Sequence, residues 1–224
     1  MKQAIPCEEA ASLIPDGASL MIGGFMGVGS PHRLIDALIV HGARNLTVIG
    51  NDTAYPGCGI GKLISSGQVA KMITSHIGLN PETQRKMFAG EIEVELVPQG
   101  TLAERIRAAG YGLGGALVKT GLGTLAGEGK QTVEIDGETW LLEKPLPADF
   151  ALIHANQADY AGNLAYQLTA TNFNPVMAMA AHTVICEARE ILPIGMITPD
   201  QVTTPGVLVH HLIGVTRVVT SMTL

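Results

Sequence analysis

The sequence predicts an α/β fold: an open, mostly parallel sheet flanked by helices, with a β-hairpin insertion, read as one domain over residues 1–224. Three observations carry this. Through the first two thirds of the chain, short β-rich runs alternate with helical patterns, as in a parallel sheet with crossover helices. The first run, 18–22, is apolar almost throughout, as suits a strand covered on both faces. Later, two β-rich runs flank Asp136-Gly137, a dipeptide favoured in tight hairpins.

The elements follow in order. Residues 7–14 begin after Pro6, carry Glu8 and Glu9 in the first turn and stop at Pro15-Asp16-Gly17, which describes a short helix. Gly23 ends the 18–22 strand. Ser30 is the expected N-cap and Pro31 the first residue of a helix with Leu34, Ile35, Leu38 and Ile39 on one face, closing near Gly42. Strands are expected at 46–49, 69–74 and 92–97. Helices are expected at 60–65, at 83–88 behind Asn80-Pro81-Glu82, and at 102–108. Between Gly110 and Gly129 eight glycines in twenty residues predict a long functional loop. The hairpin pairs 132–135 with 139–142. Strands are expected at 151–154, 183–187 and 217–221, with a further apolar segment at 207–213. There is no internal repeat and no low-complexity linker.

Composition narrows the function. The chain is 46% hydrophobic and only 15% charged, so part of its surface is expected to be covered by another protein. A net charge of −6 and the lack of any dense Lys/Arg run argue against a nucleic-acid partner. No apolar stretch approaches the roughly 18 residues needed to cross a bilayer, and the acidic start, with Glu8, Glu9 and Asp16, is unlike an export signal. Cys7, Cys58 and Cys186 form an odd, widely spaced set, which points to free thiols in a reducing compartment and thus to a cytoplasmic protein. The histidines at 32, 41, 76, 154, 182, 210 and 211 have no metal-ligand spacing, so no metal is expected. No GxSxG elbow is present either.

The strongest local signal runs from Asp16 to Pro31. It places Gly23, Gly24, Gly27 and Gly29 between a buried strand and a capped helix, where backbone amides can approach a ligand and the helix N-terminus can face negative charge. The expected ligand is anionic; the alternative is a tightly packed glycine turn. A dinucleotide fingerprint is not met here, and the GxGxxA at Gly121, Gly123 and Ala126 precedes a hairpin instead of a helix.

The pattern DG-x-x-three apolar-GGF-x-x-x-G-x-P, complete from Asp16 to Pro31, resembles the signature of the family I CoA-transferase alpha subunit. Asn51-Asp52-Thr53, the VPQGTLAERIR segment at 97–107, the Gly-rich loop, TWLLEKPLPAD near Trp140 and NLAYQLTATNFNP near Asn172 are similar to the acetate/acetoacetate branch of that family over nearly the whole chain. The resemblance implies a CoA-transferase/sugar isomerase-like fold and transfer of CoA between a short-chain acyl-CoA and a carboxylic acid, of the acetate, acetoacetate or butyrate type. It implies that Gly23, Gly24, Phe25, Met26, Gly27, Val28 and Gly29 line the CoA region. Asn51, Gln99 and Gly100 would line the active site, although Asn51 and Gln99 each also suit a turn or helix cap. CoA is then a substrate, with no tightly bound cofactor. The attacking glutamate belongs to a beta subunit, in an assembly of two alpha and two beta chains. No Glu-Asn dipeptide occurs here, and the thirteen glutamates fall mostly where solvated surface is expected. Two other readings are a sugar-phosphate isomerase relative, which would need a lysine and carboxylate poised in this chain, and a non-catalytic anion-binding module. Under the CoA-transferase reading, Gly24→Val is expected to spare the fold and abolish transfer by crowding the ligand.

Overall fold

The 18–22 run becomes the spine of the molecule. In the computed structural model, which describes residues 1–214, strand β1 (Ser19–Ile22) pairs in parallel with β2 (Leu46–Asp52) on one side and β8 (Ala148–Asp159) on the other. The helix α1 (Cys7–Ser12) precedes it. Beyond it come α2 (His32–His41), α3 (Ile60–Ser66), β3 (Val69–His76), α4 (Pro81–Phe88), β4 (Glu93–Leu96) and α5 (Gln99–Gly110). Then follow β5 (Ala116–Val118), β6 (Thr132–Ile135), β7 (Glu138–Glu143), the short β9 (Leu164–Ala165), α6 (Asn174–Ala180), β10 (Ala181–Leu192) and β11 (His211–Ile213). The expected strand at 217–221 lies outside the described residues.

The main sheet runs β11-β10-β8-β1-β2-β3-β4, every neighbour parallel, with β9 antiparallel on β8. The pleat divides the core. Leu20 and Ile22 face one layer with Leu34, Ile35 and Leu38 of α2, whereas Met21 and Ile49 face the other with Leu102 and Ile106 of α5 and Met177 of α6. Both faces of β1 are therefore dry, which is why its sequence does not alternate in polarity.

Local chemistry sets the helix ends. Gly42 closes α2 at φ 83°, its amide bonded to the Leu38 carbonyl. The start of α2 departs from expectation, because Pro31 is the N-cap and the Ser30 hydroxyl donates back to the Gly23 carbonyl. Asn80 caps α4 by accepting from the Thr83 amide at 3.2 Å, and its amide group donates to the Thr53 carbonyl at 3.1 Å. Asn80 is fully buried, so Asn80→Ala should cost about 1–3 kcal/mol by loss of the cap and orphaning of a buried carbonyl. Urea unfolding would check this; a change under about 0.5 kcal/mol would refute it.

The insertion is a small three-stranded antiparallel sheet, β5-β7-β6. Asp136 and Gly137, at φ 51° and 79°, make its two-residue turn as the dipeptide predicts. The glycine-rich stretch is more ordered than a free loop: Gly110 ends α5, and β5 pairs with β7. Glu143 ties the insertion down. It is buried, accepts from Lys130 Nζ at 2.6 Å, and lies 4.0 Å from Arg105 of α5. A solvated role was expected for most glutamates; Glu143 and Glu187 are buried exceptions. Among the described residues no helix is long and apolar enough to cross a membrane.

Candidate active site

The chain leaves β1 toward β2, β3 and β4 on one side, and returns later to build β8, β10 and β11 on the other. Such a switch point opens a crevice at the carboxyl ends of the strands. The 23–30 segment emerges there from β1. Two adjoining cavities of about 260 and 380 Å³ lie beside it, sharing Phe25, Asn51 and Gln99. Ala103, Arg107, Asn172 and Phe173 complete the first, and Asp52, Ser75 and His76 help line the second. A larger cavity of about 620 Å³ at Asn156, Tyr160, Arg189 and Gly214 borders the end of the described residues, so volume alone does not select the site.

The glycine segment is a tight turn. Phe25 and Val28 exchange both backbone hydrogen bonds at 2.9 Å, with Met26 and Gly27 between them at φ 52° and 86°. Phe25 and Val28 project outward while Gly23, Gly24 and Gly27 are buried. Their burial explains the residue type. A Cβ on Gly23 would stand 1.7 Å from Asn174 Oδ1, one on Gly24 2.0 Å from Ser30 Oγ, and one on Gly27 2.5 Å from Cys58 Sγ.

This corrects the expectation of a row of free amides. Gly23 donates to the Leu152 carbonyl, Gly24 to Asn172 Oδ1, Met26 to Asp52 Oδ2 and Ser30 to the Gly27 carbonyl. Among the described residues only the amides of Gly27 and Gly29 in this turn donate to no protein acceptor. The helix N-terminus is taken as well. Glu187 Oε2 of β10 accepts from the amides of Arg33 and Leu34, both at 3.0 Å, and its Oε1 accepts from Arg33 Nε at 3.1 Å. The negative charge that the α2 dipole attracts is thus a side chain of this protein.

Asn51 and Gln99 are brought together from positions 48 residues apart. Asn51, buried at the end of β2, accepts from Gln99 Nε2 at 2.6 Å through its Oδ1. Its Nδ2 donates to Asp52 Oδ2 at 2.8 Å, and its carbonyl accepts from the hydroxyls of Thr74 and Ser75. Gln99 and Gly100 form the first turn of α5. Gly100 faces open space and lines neither cavity. Sequence reasoning missed Asp52, Asn172 and Asn174. Asn172 accepts from Gly24 and donates to the Val28 carbonyl. Asn174 accepts from the His154 amide and donates to the Gly29 carbonyl, so the two clamp the turn from behind. Their signals in the sequence are the density of Asn at 172–174 and the place of both within the NLAYQLTATNFNP segment that carries the resemblance.

Behind the turn, His154 titrates below the ordinary histidine range, chiefly because burial disfavours its charged form; Glu187 opposes this, while His32, Arg33 and Arg189 reinforce it. Its Nδ1 is buried without a partner. A depressed folded-state value means that the unfolded chain binds more protons near pH 6. Stability should therefore fall as pH drops below about 6.5. His210 is lowered in the same direction, so the comparison is with His154→Gln, whose unfolding free energy should fall less between pH 7 and pH 5. Parallel pH curves for variant and wild type would refute the assignment.

Across this geometry the comparisons with known proteins agree. A family model described as coenzyme A transferase matches residues 6–214. The chain belongs to the coenzyme A transferase family. It is 54% identical over 206 residues to the acetate CoA-transferase subunit alpha of Escherichia coli K12, covering 92% of this chain and 94% of that one. It is 53% identical, with the same coverage, to the acetoacetyl-CoA:acetate/butyrate CoA transferase alpha subunit of Clostridium acetobutylicum. Among solved structures, an acyl-CoA transferase of E. coli O157:H7 in a thioester complex with CoA has the same fold at TM-score 0.85 and 24% identity; it matches 95% of this chain, which spans 47% of that one. A variant of the decarboxylase AibA/AibB matches at TM-score 0.80 and 30% identity, over 95% of this chain and 83% of that one. The expected family and fold class are both borne out. Among the described residues no group of three His, Cys, Asp or Glu side chains is placed to hold a metal ion.

Proposed function

We propose that the chain, acting as a single unit over residues 1–224, is the alpha subunit of a cytoplasmic heteromeric CoA-transferase. It moves CoA between a short-chain acyl-CoA and a carboxylic acid of the acetate, acetoacetate or butyrate type, in short-chain fatty acid metabolism. A beta subunit provides the attacking glutamate, in an assembly of two alpha and two beta chains. The observation that carries the reading is the Asn51–Gln99 amide pair beside the Phe25–Val28 turn at the sheet's switch point, in a chain with two alpha-subunit relatives over half identical to it.

The chemistry assigns this chain the work of polarising and enclosing. The partner's glutamate oxygen attacks the thioester carbon, forming an acyl-glutamyl anhydride and releasing CoA thiolate. The thiolate then attacks the glutamyl carbonyl, giving an enzyme thioester and freeing the first carboxylate; the second carboxylate reverses both steps. Each attack places negative charge on a carbonyl oxygen. With Gln99 Nε2 and Asn51 Nδ2 each spending one hydrogen inside the protein, each keeps one to offer. Phe25 and Val28, half-exposed, give the pantetheine arm an apolar contact within the 23–29 segment, and Gly100 leaves the approach beside Gln99 open. Asp52, the carboxylate lining the cleft, already accepts from three donors, which supports a nucleophile brought by another chain. Exposed Phe25, which lines the cleft, and Val28, paired with it across the turn, suit a covered face.

Purified alone and with a coexpressed glutamate-bearing partner, the chain should exchange CoA between acetyl-CoA and acetoacetate only in the mixture. Activity of the chain by itself would instead favour an isomerase-like enzyme, and inactivity in both an anion-binding module. In the active complex, Gln99→Leu should lower kcat on the order of a hundredfold, the loss typical of one oxyanion donor.

A further inference from the structure

We propose that Asp52 is a positioning residue for the transfer reaction, fixing in one piece the amide pair Asn51–Gln99 and the Phe25–Val28 turn. The inference rests on reading this cleft as the transfer site. Asp52 ends β2 and is 5% exposed, yet forms no salt bridge among the described residues. Its charge is held by hydrogen bonds alone. Oδ2 accepts from the Met26 amide at 2.9 Å and from Asn51 Nδ2 at 2.8 Å, and Oδ1 from the Ala54 amide at 2.7 Å.

Two features separate this from an ordinary turn carboxylate. Among the described residues five non-glycine residues have positive φ, and two of them, Met26 at 52° and Ala54 at 51°, donate their amides to this one side chain. Strained backbone of that kind persists only where its surroundings over-determine it. The second feature is polarity. A carboxylate only accepts, so the Asn51 atom beside it must be Nδ2, which turns Oδ1 toward Gln99 and obliges Gln99 to present Nε2. Asp52 therefore dictates which hydrogen of each amide is left for the cleft. Without it either amide can flip and offer an oxygen where a developing oxyanion needs a donor.

The test is a double-mutant cycle on the reconstituted complex with acetyl-CoA and acetoacetate, using Asp52→Asn, Gln99→Leu and the pair. Asp52→Asn keeps the shape, but its N–H must confront either the Ala54 amide or both the Met26 amide and Asn51 Nδ2, so the carboxylate that fixes all three donors is lost. It should lower kcat on the order of tenfold to a hundredfold, with KM for acetyl-CoA within about threefold of wild type. The double variant should be little worse than Gln99→Leu alone, because the donor that Asp52 aims is already gone. Losses that multiply would mean that Asp52 acts independently of the pair and would overturn the proposal, as would an unchanged kcat in Asp52→Asn. An unchanged kcat in Gln99→Leu instead removes the cleft from the reaction. Should Asp52→Asn not assemble, Asp52→Ser takes its place: it keeps an acceptor for the Ala54 amide but cannot reach Asn51 or Met26. Failure of both to assemble would make the residue structural and overturn the proposal.

Discussion

Replacing Glu187 by alanine should destabilise this protein by about 3–5 kcal/mol, more than any other single loss of a carboxylate considered above. The carboxylate lies on β10 and is 5% exposed, while its three donors belong to Arg33 and Leu34 at the start of α2. Alanine leaves two amides of the helix N-terminus without their acceptor, each costing about 1–3 kcal/mol. Arg33, whose side chain is 39% exposed and also donates to the Gly214 carbonyl, keeps partial solvation, so the lost ion pair adds little beside the orphaned amides. Glu187→Gln discriminates. Its single Oε1 can still serve the two amides, but its Nε2 then confronts Arg33 Nε, and roughly half the loss should remain. For a domain of this size the alanine variant should melt roughly 10 °C lower. A loss below about 1 kcal/mol would show that water or a shifted Arg33 fills the gap.

That Glu187 escaped the sequence reading follows from physics. Its partners lie 153 and 154 residues away, and in the sequence a glutamate within an apolar strand looks like one more alternating charge. What the sequence does encode is local. The 18–22 run, Gly42 closing α2, Asn80-Pro81 opening α4 and Asp136-Gly137 turning the hairpin each act through residues at most four positions apart, so their chemistry is legible without the fold. The long strands show the limit. The apolar runs at 151–154 and 183–187 mark only the central parts of β8 and β10, which continue to Asp159 and Leu192 because they pair with each other beyond the end of β1. Helix α6 was missed for a related reason: its seven residues carry no polar cap, and their helicity is imposed by packing on α5 and β8.

The candidate site is legible by residue type and not by role. Asn51 and Gln99 do meet, which no spacing could predict. The turn between Phe25 and Val28 was hidden because a methionine occupies its first left-handed position, where Asn, Asp or Gly would have announced it. In the sequence the glycines look like openings for a ligand, whereas the space beside Gly23, Gly24, Gly27 and Gly29 is filled by other residues of the chain.

The last expectation to change is Gly24→Val, predicted from sequence to leave the fold intact. Gly24 has φ 131°, a conformation that L side chains rarely adopt, at a cost of about 1–3 kcal/mol. Its first added carbon would also fall 2.0 Å from Ser30 Oγ, whose hydroxyl holds the Gly23 carbonyl at 2.9 Å; overpacking of that kind costs a further 1–3 kcal/mol or so. The structure has two ways to respond, and both move the Phe25–Val28 turn: either Ser30 releases Gly23, or Gly24 pulls its amide from Asn172. The variant should therefore lose stability and turnover together, with kcat per folded complex down on the order of a hundredfold even at low temperature. Gly24→Ala with Ser30→Ala separates the two costs, because removing Oγ leaves a 3.2 Å approach to the remaining Ser30 carbon while the backbone strain persists. This pair should regain about half of the stability lost by Gly24→Ala alone. A Gly24→Val protein that melts with the wild type, yet no longer transfers CoA, would restore the simpler picture in which the glycine merely makes room for the substrate.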